Sequence, residues 1–437
     1  MLQVLNGAWA LLLGMMLLQV GNGMQGTLLG IRGQIEGFST IEMSLVMSGY
    51  FVGFLCGSRM APEMIRRVGH VRVFAALASL ISAVMILYPT LTDPIAWGLG
   101  RVLIGFCFSG VYVTAESWLN NSATNETRGQ ALSAYMIVQM VGIVSAQALM
   151  LVADPEGFVL FIIPSVLVSL SFAPILLSIS PTPAFGTTKP MTLRQILDTS
   201  PLGCVGMFLL GGVFAAQFGM APVFGAEAGL SVAQISTFVS TFFIGALILQ
   251  YPIGWLSDRM DRRVLIFVAS LICASGAIIG FLLGEIFAML LLAGLLIGGM
   301  SNPLYSLLIA HTNDFLERDD MAAASGGLLF INGLGAVAGP PITGWAMGQM
   351  GPSAFFLIVA VLTLTMSAYA AYRMTQRAAP AVSETESFAA LPASASVVAV
   401  EAAQEYALEQ AEEAAQEAAQ EAAQDSAAAQ TRPGGSA

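Results

Sequence analysis

Gly254-Trp255-Leu256-Ser257-Asp258-Arg259-Met260-Asp261-Arg262-Arg263 separates two long apolar runs, and its reading decides the fold. Glycine lets two helices approach closely, and the Asp and Arg side chains gather charge where the apolar runs stop. A charged gap between runs that are each long enough to cross a bilayer is a loop at a membrane face. Working outward, every second gap along the chain is basic. Arg59, Arg66, Arg67 and Arg72 occupy one such gap, Arg128 the next, Lys189 and Arg194 another. Arg259, Arg262 and Arg263 follow, then Arg318, then Arg373, Arg377 and Arg432 after the last run. Only Arg32 lies in an opposite-side gap, and Arg101 lies inside a run. By the positive-inside bias these gaps and both termini are cytoplasmic, which predicts a multi-pass membrane protein.

Composition agrees. Of 437 residues, 56% are hydrophobic and 10% charged, against about a quarter charged in soluble chains. The first run has no basic residue ahead of it and no small-residue cleavage site after it, so it reads as a retained helix. The net charge of -11 comes largely from the tail, because ten of the 27 acidic residues follow Arg377. The remainder holds 15 basic and 17 acidic residues. The lipid bilayer is the partner this implies, and neither nucleic acid nor a polybasic lipid site is supported. Cys56, Cys107, Cys204 and Cys273 stand alone inside apolar runs, as packing residues do.

With a span of about 20 residues, twelve spans fit: approximately 8–30, 42–61, 71–90, 95–119, 130–152, 157–178, 201–222, 235–256, 263–283, 286–310, 321–347 and 353–373. The longest internal gap, Ser180 to Ser200, carries Pro181, Pro183 and Pro190 and divides the spans six and six. The expected organisation is an N-terminal half over residues 1–179, a cytoplasmic linker over 180–200, a C-terminal half over 201–373 and a tail over 374–437. A shift of 193 residues lays Leu103-Ile104-Gly105 on Leu296-Ile297-Gly298, Ser109 on Asn302, Tyr112 on Tyr305, Gln139 on Asn332 and Gly142 on Gly335. One register across two helices predicts an all-α membrane protein of two pseudo-symmetric six-helix halves, the layout of a transporter that rocks about a central site. In the tail Glu401, Glu405, Glu409, Glu413, Glu417, Glu421 and Asp425 recur every fourth residue among Ala and Gln. Ala favours helix while like charges at that spacing oppose it. With no Leu or Val stripe to dock, the expectation is a partly helical, solvated tail, read as a dispensable extension with a partner-binding helix as the alternative.

The Gly254 to Arg263 stretch resembles the loop signature G-x-L-x-D-R-x-G-R-R of the major facilitator superfamily. In that family the Asp faces the start of a helix in the other half, where free amides favour an anion; here this is the start of span 5, near Arg128 and Gly129. The equivalent loop after span 2 keeps Gly57, Arg66 and Arg67 but has Ala61 in place of the Asp, so this latch is weakened unless Glu63 substitutes. Gly49, Gly53 and Gly57 share one face of span 2 and permit a close crossing. Arg101 and Gly105 resemble the superfamily's fourth-helix motif R-x-x-x-G, associated there with proton-coupled transport. Glu116-Ser117-Trp118-Leu119-Asn120, Thr127-Arg128-Gly129 and the Arg-Arg-Val-Gly-His run look like the YcaD-like branch of bacterial members. The resemblance covers about residues 5 to 373.

Arg101 is the one basic residue well inside a span, where a charge is costly unless paired or hydrated. It shares a broad face with Gly105, Ser109, Tyr112 and Glu116; the alternative is a side chain snorkelling to the outer interface. The resemblance implies a cavity lined by spans 1, 4, 7 and 10. Those spans carry Gln19, Asn22 and Gln25, then Arg101 and Tyr112, then Gln217, then Asn302 and Tyr305, with Gln139 and Asn332 as a matched pair from spans 5 and 11. Amides and phenols among Met, Phe and Leu suit a small organic solute, amphiphilic or modestly polar. Each amide is equally an interhelical hydrogen-bond partner. The expected gate comprises Gly57, Arg66, Arg67, Glu116, Arg128, Gly254, Asp258, Arg259, Arg262 and Arg263, with Glu116 and Arg128 joining Asp258 in one network; the alternative for Glu116 and Arg128 is a pair of solvated end charges.

No carboxylate is expected mid-span, and His70 and His311 lie at cytoplasmic ends, so proton coupling has no evident buried carrier. The antiporter signature G-x-x-x-G-P-x-x-G is absent from span 5 and echoed in span 11 by Gly335, Gly339, Pro340, Pro341 and Gly344. No Walker loop, metal cluster or nucleophile and base pair is present, so neither an enzyme nor a cofactor or metal is expected. The reading is a monomeric secondary transporter working by alternating access, with protons as an optional partner. The other class is a non-transporting receptor or scaffold acting through its tail.

Overall fold

The computed structural model describes residues 2–122, 125–177, 191–376, 388, 391, 395–396, 398–407 and 409, and no strand occurs among them. Fifteen α-helices follow in order: α1 (Leu2–Ile35), α2 (Thr40–Val68), α3 (His70–Leu87), α4 (Pro94–Ser122), α5 (Asn125–Leu149), α6 (Val159–Ser171), α7 (Ala173–Leu177) and α8 (Leu193–Thr199) come first. Then come α9 (Pro201–Ala215), a π-turn (Ala216–Met220), α10 (Ala221–Glu227), α11 (Val232–Ser257), α12 (Arg262–Leu283), α13 (Phe287–Asn313), α14 (Arg318–Met350) and α15 (Ala354–Gln376). Eleven helical segments among the described residues are long and apolar enough to cross a membrane, with α6 joined to α7 and α9 joined to α10. The 34-residue α1 is a further long helix outside that set. The twelve expected spans are consistent with this pattern. The linker holds α8, a two-turn helix absent from the sequence reading, started by a capping box of Thr192 and Gln195.

Helices in lipid gain little by hiding apolar surface from one another, so small residues that admit close backbone contact decide who packs on whom. A Cβ on Gly53 of α2 would stand 1.8 Å from the Val102 carbonyl oxygen of α4, and one on Gly105 of α4 would stand 1.9 Å from that of Tyr50. The second half repeats the crossing between α11 and α13, where a Cβ on Gly298 would stand 2.2 Å from the Phe242 oxygen. Gly142 fits α5 against Gln19 of α1, and Gly335 fits α14 against the Phe208 oxygen of α9. Gly105 with Gly298 and Gly142 with Gly335 are glycine pairs of the 193-residue register, so the repeat in sequence is a repeat in packing. Large apolar side chains such as Ile95, Leu99, Ile248 and Tyr251 stay exposed around the bundle, as a lipid-facing surface requires.

The halves meet at the end opposite the basic gaps. There the Thr40 hydroxyl donates to the Glu227 carboxylate, Ser48 Oγ donates to the Val337 oxygen at 2.7 Å, and Gly344 of α14 seats against Ser44 of α2. Gly30 of α1 packs on Pro222 of α10 in the same layer. Toward the basic end the halves part around a cavity.

The tail departs from expectation. Residues 398–407 are helical, and Leu391, Ala395, Ser396, Ala399, Val400, Ala402 and Ala403 are buried. No long apolar stripe was needed, because small Ala and Val side chains fit a crevice between helices. Glu413, Glu417, Glu421 and Asp425 lie outside the described residues, as does residue 408.

Candidate functional site

The cavity has a volume of about 660 Å³ and lies between the two halves. Its N-terminal wall is polar. Gln19 Nε2 donates to Gln139 Oε1 at 2.9 Å, and the Tyr112 hydroxyl donates to Gln19 Oε1 at 2.6 Å. Asn22 Nδ2 donates to the Tyr112 oxygen at 3.0 Å and reaches the Tyr50 oxygen at 3.4 Å, while Gln25 Nε2 reaches Asn22 Oδ1 at 3.4 Å. This chain fixes the amides of α1 against α4 and α5, at positions one helical turn apart on α1. Arg101 closes the wall, its guanidinium over the Tyr50 ring at 4.8 Å. It is 3% exposed, so it points inward and does not snorkel.

The C-terminal wall is aromatic. Phe218 stacks on Phe214 at 5.7 Å and on Phe243 at 5.5 Å, with Tyr305 set against Phe214 at 5.9 Å. Phe218 is carried by the π-turn. Pro222 has no amide hydrogen to give the Phe218 carbonyl, and the π-turn ends just before it, the type of irregularity common at functional positions. Asn302 donates to the Gly298 oxygen one turn back within α13 at 3.1 Å, whereas Asn332 of α14 donates to the Met207 oxygen of α9 at 3.0 Å and joins the two helices; both residues border the cavity.

Gln19, Asn22, Gln25, Arg101, Tyr112, Gln139, Asn302, Tyr305 and Asn332 all border the cavity. Gln217 does not: it is fully buried and pairs with Ser301 Oγ at 2.9 Å, because the π-turn rotates it behind Phe218. Sequence reading missed Tyr50, Phe54 and Gln147, which also border the cavity. Gln147 lies eight residues after Gln139, on the same face of α5, and that spacing was the available signal.

The basic end is wired differently from the expected latch. Asp258 is 42% exposed at its side chain and 3.8 Å from Arg262. Its Oδ1 accepts from the Phe388 amide of the tail at 2.9 Å, and the Phe388 ring covers Gly254. Arg262 instead forms a buried pair with Asp314, reinforced by Ser257 Oγ at 3.1 Å and the Ala310 oxygen at 3.2 Å. Arg263 pairs with Asp261 at 2.8 Å. Burial pushes the Asp261 carboxyl up, but hydrogen bonds from the Arg263 side chain and backbone outweigh it and hold the group below its ordinary value. Arg259 stacks on Trp255 at 4.2 Å, and Gly57 seats on Phe106 within the first half. Glu63 does not take the place left by Ala61: it pairs on the surface with Arg66 and Arg67, at 2.5 Å each. Glu116 is not a solvated end charge. It is 3% exposed, with Oε1 accepting from Tyr135 at 3.0 Å and Oε2 from the Ser396 amide at 2.9 Å. The side chain of Arg128 lies outside the described residues, so the expected network of Glu116, Arg128 and Asp258 is described only through its two acids, each joined to the tail. Among the described residues no group of three His, Cys, Asp or Glu side chains could hold a metal ion.

The family profile described as Major Facilitator Superfamily matches residues 203–411, and that of the Sugar (and other) transporter family matches residues 13–181. An "Uncharacterized MFS-type transporter" of Yersinia pestis is 26% identical over 354 residues, which cover 80% of this chain and 91% of the relative. The chain belongs to the major facilitator superfamily. It is a membrane transporter by family, and its branch is the one expected: "Uncharacterized MFS-type transporter YcaD" of Salmonella arizonae is 25% identical over 355 residues, 80% of this chain and 91% of the relative. Among solved superfamily structures, a variant of the nucleoside transporter NupG superposes with a TM-score of 0.69 at 14% identity, over 83% of this chain and 98% of that one. That likeness concerns the fold alone.

Proposed function

We propose that the chain is a secondary transporter of a small organic amphiphile, working by alternating access as a monomer in the bacterial inner membrane with both termini cytoplasmic. The observation that carries this reading is one cavity with a polar wall from one half and an aromatic wall from the other, sealed at one end by Thr40, Ser44, Ser48, Glu227 and Gly344. In this reading the basic end is cytoplasmic and the state is inward-open. Residues 1–179 and 201–373 act as the rocking halves and 180–200 as their linker. Solute held between the walls shifts the balance of the two states, because the walls come together only around it. Closure of the cytoplasmic end requires Asp258 to exchange the Phe388 amide for its family partner at the start of α5.

Proton coupling belongs to the same proposal through Glu116. This buried carboxylate is held by a phenol and an amide, with no cation paired to it among the described residues, and a carboxylate so placed in a membrane protein is a natural proton carrier. The test is uptake of a solute panel into inside-out and right-side-out vesicles under an imposed pH gradient. Saturable flux that the gradient drives supports the reading. A panel of amphiphiles that moves no faster than in empty vesicles refutes it.

A further inference from the structure

We infer that the solute carries an anionic group and that Arg101 is its receptor, an inference that rests on the transport reading and names its substrate class. Arg101 lies in the second turn of α4, at the sealed end of the cavity, and borders the cavity directly. It is 3% exposed, yet among the described residues Nε and Nη1 find no hydrogen-bond partner and no carboxylate forms an ion pair with it. Burying a guanidinium without an acceptor is costly, and a cation–π contact alone does not satisfy its N–H groups. Its one contact of note, the Tyr50 ring, fixes the plane of the guanidinium and leaves its N–H edge free for an oxyanion. Opposite stand Phe214, Phe218 and Phe243, which offer an apolar body nothing polar to pair with. The solute class is therefore a carboxylate or phosphate monoester on an aromatic or aliphatic body.

The test is scintillation-proximity binding to the purified full-length protein, with radiolabelled 4-phenylbutyrate and 4-phenylbutyl phosphate as probes. Neutral 4-phenylbutanol and cationic 4-phenylbutylamine serve as competitors. Saturable binding of an anion, at least tenfold weaker in Arg101→Gln and partly restored in Arg101→Lys, is expected, with neither competitor effective. No saturable anion binding, equal competition by the alcohol or amine, or full affinity in a folded Arg101→Gln protein overturns the inference. Binding is read without flux, so a protein that holds anions and moves none refutes the transport reading alone.

A different observation carries a second proposal: Phe388, Leu391, Ala395, Ser396 and the helical residues 398–407 of the tail form an intramolecular stopper in the mouth of the cavity. It ties both halves together. The Ser396 amide bonds Glu116 of α4, the Leu391 amide bonds Ser306 Oγ of α13 at 3.0 Å, the Phe388 amide bonds Asp258, and Gln404 Nε2 bonds Ser325 Oγ of α14 at 2.8 Å. Ala395, Ser396, Val398 and Glu401 form part of the cavity wall. A strap anchored on both halves at this end opposes their approach and blocks access. The measurement is labelling of Ser109→Cys by a membrane-impermeant maleimide in inside-out vesicles, with the four native cysteines replaced. Deleting residues 378–437 should speed labelling at least tenfold, and Val400→Asp should do the same without truncation. Unchanged labelling in both variants overturns the proposal.

Discussion

Replacing Asp314 by Asn should destabilise the protein more than replacing Asp258, although Asp258 is the residue the loop motif announces. Arg262 and Asp314 have side chains 1% and 2% exposed. Asn keeps the size and one acceptor oxygen, so the exchange isolates the charge. Removing one partner of a buried pair costs about 3–5 kcal/mol, because the other charge stays buried. Ser257 and Ala310 continue to accept from Arg262, which sets the expectation near the lower end. A loss of about 3 kcal/mol lowers the folding equilibrium roughly a hundredfold. Asp258, 42% exposed and 3.8 Å from Arg262, should cost no more than about 1 kcal/mol. The assay is reversible unfolding in mixed micelles, followed by circular dichroism as denaturing detergent is titrated. Equal costs for the two variants, or a loss below about 1 kcal/mol for Asp314→Asn, would refute the assignment of the structural charge pair.

Three further outcomes follow from other parts of the fold. Cysteines at positions 44 and 344 should form a disulfide that halts flux until reduced, because those backbones touch only while the end opposite the basic gaps is sealed; a cross-linked protein with normal flux would contradict the geometry. Gly105→Val and Gly298→Val should each cost at least about 1–3 kcal/mol in the same unfolding assay, since both force a side chain onto a carbonyl of the neighbouring helix. Burial, and then repulsion by Glu405, raises the Glu401 carboxyl in the docked tail. Docking is therefore fully favoured below the ordinary carboxylate value and weakens as pH rises through the raised one. Glu401→Gln should slow maleimide labelling of the cavity and flatten its pH dependence.

The fold was legible because its causes are local and repeated. Apolar runs of membrane length, basic residues in alternate gaps and glycines kept in one register all have direct structural counterparts in helices and crossings. The cavity was largely legible too, since amides have few tolerable places in lipid. What was hidden depended on rotation or distance in sequence. A single π-turn turned Gln217 away and brought Phe218 forward. Asp314 lies 52 residues from its partner Arg262, and no spacing rule links them. The tail's docking depends on the shape of a crevice made by helices whose contacting residues lie from 79 to 280 positions earlier, which composition does not encode.

The division of the cavity wall between the halves has a consequence for how selectivity changes. In the proposed binding mode one lobe grips the head of the solute through Arg101, Tyr112 and the amides of α1, and the other cushions its body with the row of rings that lines it. Exchanges at Phe214, Phe218 or Phe243 would then alter the size and stiffness of the cargo accepted without touching its charge. Two specificities that a single lobe would have to trade against each other are tuned here as separate dials.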